Sequence, residues 1–336
     1  MKKTPTINDV AKLAGVSKAT VSKYLNETPY VSINTKQRIE KAIDELKYHP
    51  SNVARGLVSK SIRLIALVIS DIELLINSVL IKSIETEAQK YGYDIVLVTT
   101  NDDEEYEQNL NEILTERYKH VDGIILANSR KNGLNLSELK ETFEHIVMVH
   151  RYVPNDLVDI VAVDNVFGGK LVAEYLLRMG HEMFGIISGP NEISPFADRK
   201  EGFCDSLYKH NNQVTIIEGL QSLEAGYQAA EQLMTSESPP SAVFATSDIL
   251  ALGVLDAAKD YGWKIPSEIS LIGYDNIFFG RLARVPLTTL DGQFEQLGSK
   301  SVQLLYERIS EENKSEVKQI FLRPSLIVRE SSQKKE

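Results

Sequence analysis

The sequence predicts a small all-α head followed by a larger α/β body of doubly wound parallel sheets. Three observations carry this. Residues 6–46 hold three short helical patterns, each with its own start signal. From Arg63 onwards, short apolar runs alternate with helical patterns, the mark of parallel strands with helices on both faces. Charge divides the chain at the same place. Residues 1–62 carry eleven Lys/Arg against five Asp/Glu, or +6, so the rest of a chain of net charge −10 carries −16. A basic head on an acidic body points to a polyanion-binding module fused to something else.

The head reads element by element. Thr6 starts the first helix, and Asp9, three residues on, answers it and favours the positive helix end. Val10, Leu13 and Ala14 share one face, Gly15 ends the helix, and Val16 is expected buried in the turn. Ser17 caps a second helix from Lys18 to about Asn26. Two short helices joined by a tight turn containing glycine form a helix-turn-helix, whose second helix enters the DNA major groove by its N-terminus. Ser32 caps a third helix with Ile39, Ile43 and Leu46 at helical spacing.

On the second helix Val21, Tyr24 and Leu25 point to the core, which leaves Lys18, Ala19, Ser22 and Lys23 facing the groove. Lysine donates to guanine O6/N7, and Ala19 meets a thymine methyl. Ser17, Thr20 and Asn26 are the candidates for phosphate contacts, which position rather than specify, and Thr6 is a further DNA-binding candidate.

The run Ile7-Asn8-Asp9-Val10-Ala11-Lys12-Leu13-Ala14-Gly15-Val16-Ser17-Lys18-Ala19-Thr20-Val21-Ser22 resembles the head of the lactose/galactose-repressor (LacI/GalR) family. So does Leu46-Lys47-Tyr48-His49-Pro50-Ser51-Asn52-Val53-Ala54-Arg55-Gly56-Leu57. The resemblance runs over nearly the whole chain. It implies a DNA-binding head over 1–50, a hinge helix and linker over 51–62, and a periplasmic-binding-protein-like effector and dimerisation core over 63–336. The core would comprise an N-lobe (about 63–163 and 293–322) and a C-lobe (about 164–292 and 323–330). In the family the hinge helix forms when two subunits meet on DNA. Leu57 then matches a wedge inserted into the minor groove, beside Asn52, Ala54 and Arg55. Such a wedge costs unstacking and produces a bend, most cheaply at a pyrimidine–purine step. Leu57 as an ordinary packed leucine is the alternative. Lys23 stands where the family often has arginine, and lysine makes a point-charge contact rather than a fork.

In the body, strands are expected at Leu64–Ile69, Ile95–Thr99, Gly123–Leu126, Ile146–His150, Ile160–Val163, Phe184–Ser188, Thr215–Ile217, Val243–Thr246 and Leu271–Gly273. Helices are expected at Ser78–Tyr91, Glu105–Tyr118, Gly168–Met179, Arg199–Lys209, Ala225–Met234 and Ile249–Tyr261. One sheet of this length would be unusually wide, and Asp164-Asn165 reads as the switch between two. The resemblance adds three crossovers, near 163, 292 and 322, with late strands around Ile320–Leu322 and Ser325–Val328 returning one to each lobe.

Catalytic motifs are missing from the sequence. No two glycines stand two apart, so GxGxxG is absent; Gly169-Lys170 lacks the Ser/Thr of a P-loop, and His181-Glu182 lacks the second histidine of HExxH. The six histidines are scattered, and one cysteine, Cys204, supports neither a disulfide framework nor a CxxC metal site. No enzyme activity, metal or cofactor is expected. No apolar run approaches the ~18 residues of a membrane span, and the N-terminal lysines precede no hydrophobic stretch, so a soluble, cytoplasmic protein is expected.

Ligands of open α/β sheets bind beyond the carboxyl ends of the strands. Those ends supply Asp71–Asn77 (Asp71 and Glu73 foremost), Asn101, Asn128-Ser129 and Arg151 from the first half, and Asn191–Phe196, Arg199, Gln221, Thr246-Ser247-Asp248 and Tyr274-Asp275 from the second. This polar inventory suits a polyhydroxylated ligand. In the resemblance, Arg199 and Asp275 match residues that commonly bond effector, and Ser247 a polar pocket position. Surface salt bridges are the alternative for Arg151 and Arg199, and helix capping for Ser247 and, by preference, Asp248. Family members often carry an Asn-Pro-Phe-Phe-like stretch after the first body strand; Asp71–Asn77 has no aromatic there, leaving Phe196, Tyr152 or Phe278 to stack. Arg151 with Arg199 would suit a carboxylate or phosphate.

Together these point to a homodimeric repressor of carbohydrate-metabolism genes. It would bind a pseudo-palindromic operator in double-stranded DNA, and a sugar or sugar-acid effector would modulate that binding. A dimer face is expected along Asp71–Tyr91. A global catabolite regulator with a phosphorylated carrier protein as corepressor, and a solute-binding protein, are the alternatives.

Overall fold

The computed structural model describes residues 5–25, 31–48, 61–127, 135–310 and 316–335. Two compact units divide at Arg63/Leu64. In the first, α1 (Ile7–Ala14), α2 (Lys18–Leu25) and α3 (Ile33–Leu46) pack around Val10, Ala11, Ala14, Val21, Ile39, Ala42 and Tyr48. Asp9 Oδ2 accepts from the Thr6 N–H at 2.8 Å and from its hydroxyl at 2.7 Å, so the predicted helix start forms. Gly15 ends α1 at φ 65°, a conformation that favours glycine. Arg38 of α3 donates to the Ala14 and Gly15 carbonyls that α1 leaves unpaired, at 2.6–2.9 Å. Leu13 departs from expectation: it is 46% exposed, because the buried seam runs through Val10, Ala11 and Ala14, one position to its side. Val16 is half-buried.

The second unit holds two parallel sheets. The larger has the order β11-β5-β4-β3-β1-β2. Its strands are β1 (Leu64–Ile69), β2 (Asp94–Thr99), β3 (Gly123–Leu126), β4 (Ile146–Val149), β5 (Asp159–Val163) and β11 (Gln319–Leu322). The smaller has the order β7-β6-β8-β9, built from β6 (Phe184–Ser188), β7 (Val214–Glu218), β8 (Ala242–Ala245) and β9 (Ser270–Ile272). A two-stranded ribbon of β10 (Thr289–Leu290) and β12 (Leu326–Ile327) lies beside β9 through the bridge Ile272–Thr288. The chain therefore passes between the sheets at Asp164, between β10 and β11, and between β11 and β12.

The inner strands of each sheet are covered on both faces, which is why they read as continuous apolar runs, whereas the edge strands β2, β7 and β11 are partly exposed. Alternation along β1 sends Ile65, Leu67 and Ile69 towards α4 (Leu75–Lys90) and α13 (Phe294–Ser310). Ala66 and Val68 face α6 (Leu110–Tyr118) and α7 (Leu136–Thr142). The smaller sheet lies between α8 (Asn165–Arg178) with α9 (Ser194–Tyr208) on one face and α10 (Leu223–Met234) with α11 (Asp248–Tyr261) on the other. Helices α8 and α9 touch backbone to backbone: a Cβ at Gly169 would strike the Arg199 carbonyl, and one at Gly202 the Val166 carbonyl. That seam sets the height of Arg199.

The single helix expected over Glu105–Tyr118 is two, α5 (Glu104–Gln108) and α6. They meet at Asn109, whose side-chain amide donates to the Glu105 carbonyl at 2.9 Å, an alternative to continuing the helix. Helices α7, α12 (Phe278–Leu282) and α13, and strand β10, were not anticipated. No helix among the described residues is long and apolar enough to cross a membrane.

Candidate nucleic-acid interface and ligand cleft

Helix α2 is held from both sides. Ser17 Oγ accepts from the Thr20 N–H at 3.1 Å, and the two hydroxyls lie 2.8 Å apart. At the other end the Tyr24 hydroxyl donates to Glu40 at 2.8 Å, and burial with that carboxylate pushes its pKa up to about 12. Val21 is buried between these anchors. What remains outside is Lys18, Ala19 and Lys23, exposed, with Thr20 and Ser22 half-buried. Thr6 is exposed at the α1 start. Asn26, Asn52, Ala54, Arg55 and Leu57 lie outside the described residues, as does most of the expected hinge.

In the second unit the lobes touch at the carboxyl ends of their strands. Tyr152, after β4, donates its N–H to Ser194 Oγ at 2.9 Å and its hydroxyl to Asp198 at 2.7 Å, both on α9. Arg199, one residue on, is 1% exposed. Its Nε donates to Asn165 Oδ1 at 2.9 Å and its Nη1 to the Thr246 carbonyl at 2.6 Å. The guanidinium sits 3.5 Å above the Tyr274 ring and 6.0 Å from that of Phe196. Asp275 Oδ1 is 3.1 Å from Arg199 Nη1, an ion pair not aligned as a hydrogen bond. Burial raises the Asp275 carboxyl to about 6, and Arg199 limits that rise.

Across the cleft stands His150, buried at the end of β4 with φ 65°. Burial, with Arg199 and Arg151 nearby, holds its pKa well below the usual imidazole range, so the ring is neutral. It meets the Phe294 ring edge-on at 5.1 Å. His150 Nδ1, Ser70 Oγ at the end of β1 and Arg199 Nη2 are buried without a hydrogen-bond partner among the described residues. Unpaired buried polar atoms are uncommon, and these three, two after strand ends of the larger sheet and one on α9, form a ready hydrogen-bonding set for a small ligand.

The structure thus brings Phe196, Arg199 and Asp275 together, with the Ser247 residue adjoining Thr246. Ser247 caps α11, its Oγ accepting from the Leu250 N–H at 3.4 Å. Arg151 is buried but ion-paired to Asp102 at 2.5 Å. Since Arg199 faces Asp275, each guanidinium is matched by a carboxylate of this chain, and the two do not form the cationic pair expected to receive an anion. Glu73 and Asn101 are exposed; Asp71, which accepts from the Glu73 N–H at 2.8 Å, and Gln221 are partly so. Asn101 and Gln221 follow β2 and β7, the edge strands of their sheets. Asn128 and Ser129 lie outside the described residues. Phe278 is 65% exposed, not a stacking wall. Asp248 does not cap α11: it is fully buried, and burial with Asp275 nearby pushes its carboxyl well above the usual range. Sequence reasoning reached Tyr274 but missed Ser70, His150, Asn165 and Phe294. The strand-end rule that found Tyr274 also covers Ser70 and His150, whereas Asn165 and Phe294 follow crossovers. Among the described residues, no group of three or more His, Cys, Asp or Glu side chains is placed to hold a metal ion.

Residues 6–51 match the family described as bacterial regulatory proteins, lacI family, and residues 173–332 the periplasmic binding protein-like domain. The HTH-type transcriptional repressor PurR of Histophilus somni (strain 129Pt) is 35% identical over 97% of this chain and 98% of its own. That of Pasteurella multocida is 34% identical over the same shares. Among solved structures, the Lac repressor dimer bound to operator and the anti-inducer ONPF is 26% identical, covers 98% of this chain and 99% of its own, and superposes with a TM-score of 0.85. The regulator CelR in complex with cellobiose is likewise 26% identical, with a TM-score of 0.73 over 97% of this chain and 99% of its own. A ribose-bound regulator from Enterococcus faecium is 26% identical, with a TM-score of 0.71 over 81% of this chain and all of its own. These relatives are repressors and regulators, not enzymes. With a helix-turn-helix head, a two-lobed core and that identity along the whole chain, this protein belongs to the LacI family of DNA-binding transcriptional repressors.

Proposed function

We propose that this repressor works in the cytoplasm as a homodimer on a pseudo-palindromic operator, and that a small polyhydroxylated ligand in the cleft between its lobes sets its operator affinity. The observation that carries the ligand half is the buried set His150, Ser70 and Arg199, offering unpaired polar atoms from both lobes. A neutral imidazole and two arginines already matched by carboxylates favour an uncharged sugar over a sugar acid. The neighbours solved with cellobiose and ribose support the same class. Genes of carbohydrate metabolism are the corresponding targets.

On DNA, Lys18, Ala19, Ser22 and Lys23 read base edges, while Thr6, Ser17, Thr20 and Asn26 take phosphates. Asn52, Ala54, Arg55 and Leu57 engage the operator centre. For the dimer, Ile72, Leu75 and Val79 near the start of α4, with Phe278, Phe279 and Leu282 of α12, are exposed apolar side chains that a second subunit would cover.

A thermal-shift screen against neutral sugars, sugar acids, sugar phosphates and purines tests the ligand. A hundredfold excess over the dissociation constant stabilises by ~2.7 kcal/mol. A neutral-sugar hit, lost in Arg199→Met, is expected. A purine hit, with a flat ring among Phe196, Tyr274 and Phe294, overturns the sugar assignment. Silence across the panel favours a protein corepressor.

A further inference from the structure

Asp248 is the first residue of α11, shortly after β8, fully buried, and Ser247 rather than Asp248 caps the helix. The Asp248 carboxyl group ties the segment that joins β9 to α12 to strand β10. Oδ2 accepts from the Ile277 N–H at 2.8 Å, and Oδ1 accepts from the Thr289 hydroxyl at 2.7 Å. The Asp248 N–H closes the grip on the Tyr274 carbonyl at 2.6 Å. A Cβ at Gly273 would collide with Oδ1, so the approach depends on that glycine.

The gripped segment holds two consecutive left-handed residues, Asp275 at φ 105° and Asn276 at φ 55°, a conformation that persists only where surrounding contacts enforce it. Within four residues it also carries groups with separate tasks. Asp275 pairs with Arg199 in the cleft. Phe278 and Phe279, 65% and 52% exposed, lie on the face assigned to the partner subunit. A pocket of about 600 Å³ runs between these groups, lined by Leu75, Val79, Asp275, Phe278, Phe279 and Phe294 among others.

We propose that Asp248 is a positioning residue that couples the ligand cleft to the dimer face. By clamping Ile277 and Thr289 it holds one conformation of the 274–279 segment, in which Asp275 meets Arg199 while Phe278 and Phe279 are presented to the partner. A ligand that displaces Asp275 then shifts the dimer face through the same segment. This rests on the dimer face proposed above.

Sedimentation velocity of the full-length protein over a dilution series measures the dimer dissociation constant. Asp248→Ala leaves the Ile277 N–H and the Thr289 hydroxyl without their acceptor and is expected to raise that constant at least tenfold. Asp248→Asn keeps an acceptor for Ile277 and turns its amide to Thr289 Oγ1, whose hydroxyl swings to the Leu290 carbonyl 3.4 Å away; it should stay within threefold of the parent. Leu250→Ala, a buried site on the same helix, lowers the Tm and leaves the constant unchanged. Phe278→Asp should be monomeric. If Phe278→Asp remains dimeric, the assigned face is wrong and the coupling falls with it. If it is monomeric while Asp248→Ala dimerises like the parent, or while Leu250→Ala loosens the dimer equally, the face stands and the coupling is refuted. Should Asp248→Ala not fold, Thr289→Val removes one of the two bonds at nearly constant volume, with a threefold or greater rise expected and no change refuting the proposal.

Discussion

Replacing Arg199 by methionine removes a buried cation and leaves three groups behind: the Asp275 carboxyl, Asn165 Oδ1 and the Thr246 carbonyl. Each orphaned neutral acceptor costs about 1–3 kcal/mol, and breaking a buried pair costs about 3–5 kcal/mol in all. For a core of this size that is a Tm loss of roughly 6–20 °C. The loss has a pH signature. Asp275, already raised to about 6, rises further without Arg199. An acid whose folded-state pKa lies above its unfolded value contributes most below the unfolded pKa, and that contribution is lost as pH rises through the folded pKa. Arg199→Met is therefore less destabilised at pH 5 than at pH 8. Asp275→Asn alone leaves the guanidinium unpaired and is also costly. The double variant removes both charges, so its loss falls short of the summed single losses by about 2 kcal/mol or more. Urea titrations of the four proteins at both pH values measure this cycle. Additivity within about 0.5 kcal/mol, or a deficit larger at pH 5, would refute the buried ion pair as the organiser of the site.

Further outcomes follow from the same geometry. His150→Gln should remove acid sensitivity: a base whose pKa falls on folding keeps the protein stable above about 6.5 and costs up to about 1.4 kcal/mol per pH unit below it, so the variant should show a flatter stability profile from pH 6.5 to 5. Gly202→Ala places a methyl against the Val166 carbonyl and should cost about 1–3 kcal/mol by separating α8 from α9, with loss of ligand-induced thermal shift; an unchanged Tm would contradict the close seam. Lys23→Ala should weaken operator binding and alter base preference at its contact, whereas Leu57→Ala should mainly reduce bending; both are read by titration and gel phasing at fixed salt, and two neutral results would remove the assigned head contacts.

Local signals explain what was legible beforehand. Thr6 with Asp9, Gly15 before Ser17, and the continuous apolar strands each act within a few residues, so the head helices and the two parallel sheets could be read directly. The break at Asn109 could not, because one amide's choice between helix and Glu105 carbonyl leaves the apolar period unchanged. Strand-end logic reached Arg199 and Asp275, since order along the chain places them. It also nominated Asn101 and Gln221, and that they follow edge strands is visible only in the folded sheets. The pairing of Arg151 with Asp102, 49 positions apart in sequence, and the neutral state of His150 depend on burial that only the folded lobes create.

A repressor whose head obeys its cleft changes its operator affinity when the cleft fills. Anisotropy titration of a selected palindromic duplex with the full-length protein, at one salt concentration and with or without the compound found by thermal shift, tests it most directly. A tenfold or larger change in operator Kd, abolished in Arg199→Met while ligand-free binding persists, is the predicted result. A compound that stabilises the core yet leaves operator Kd unchanged would show that the cleft does not govern the head.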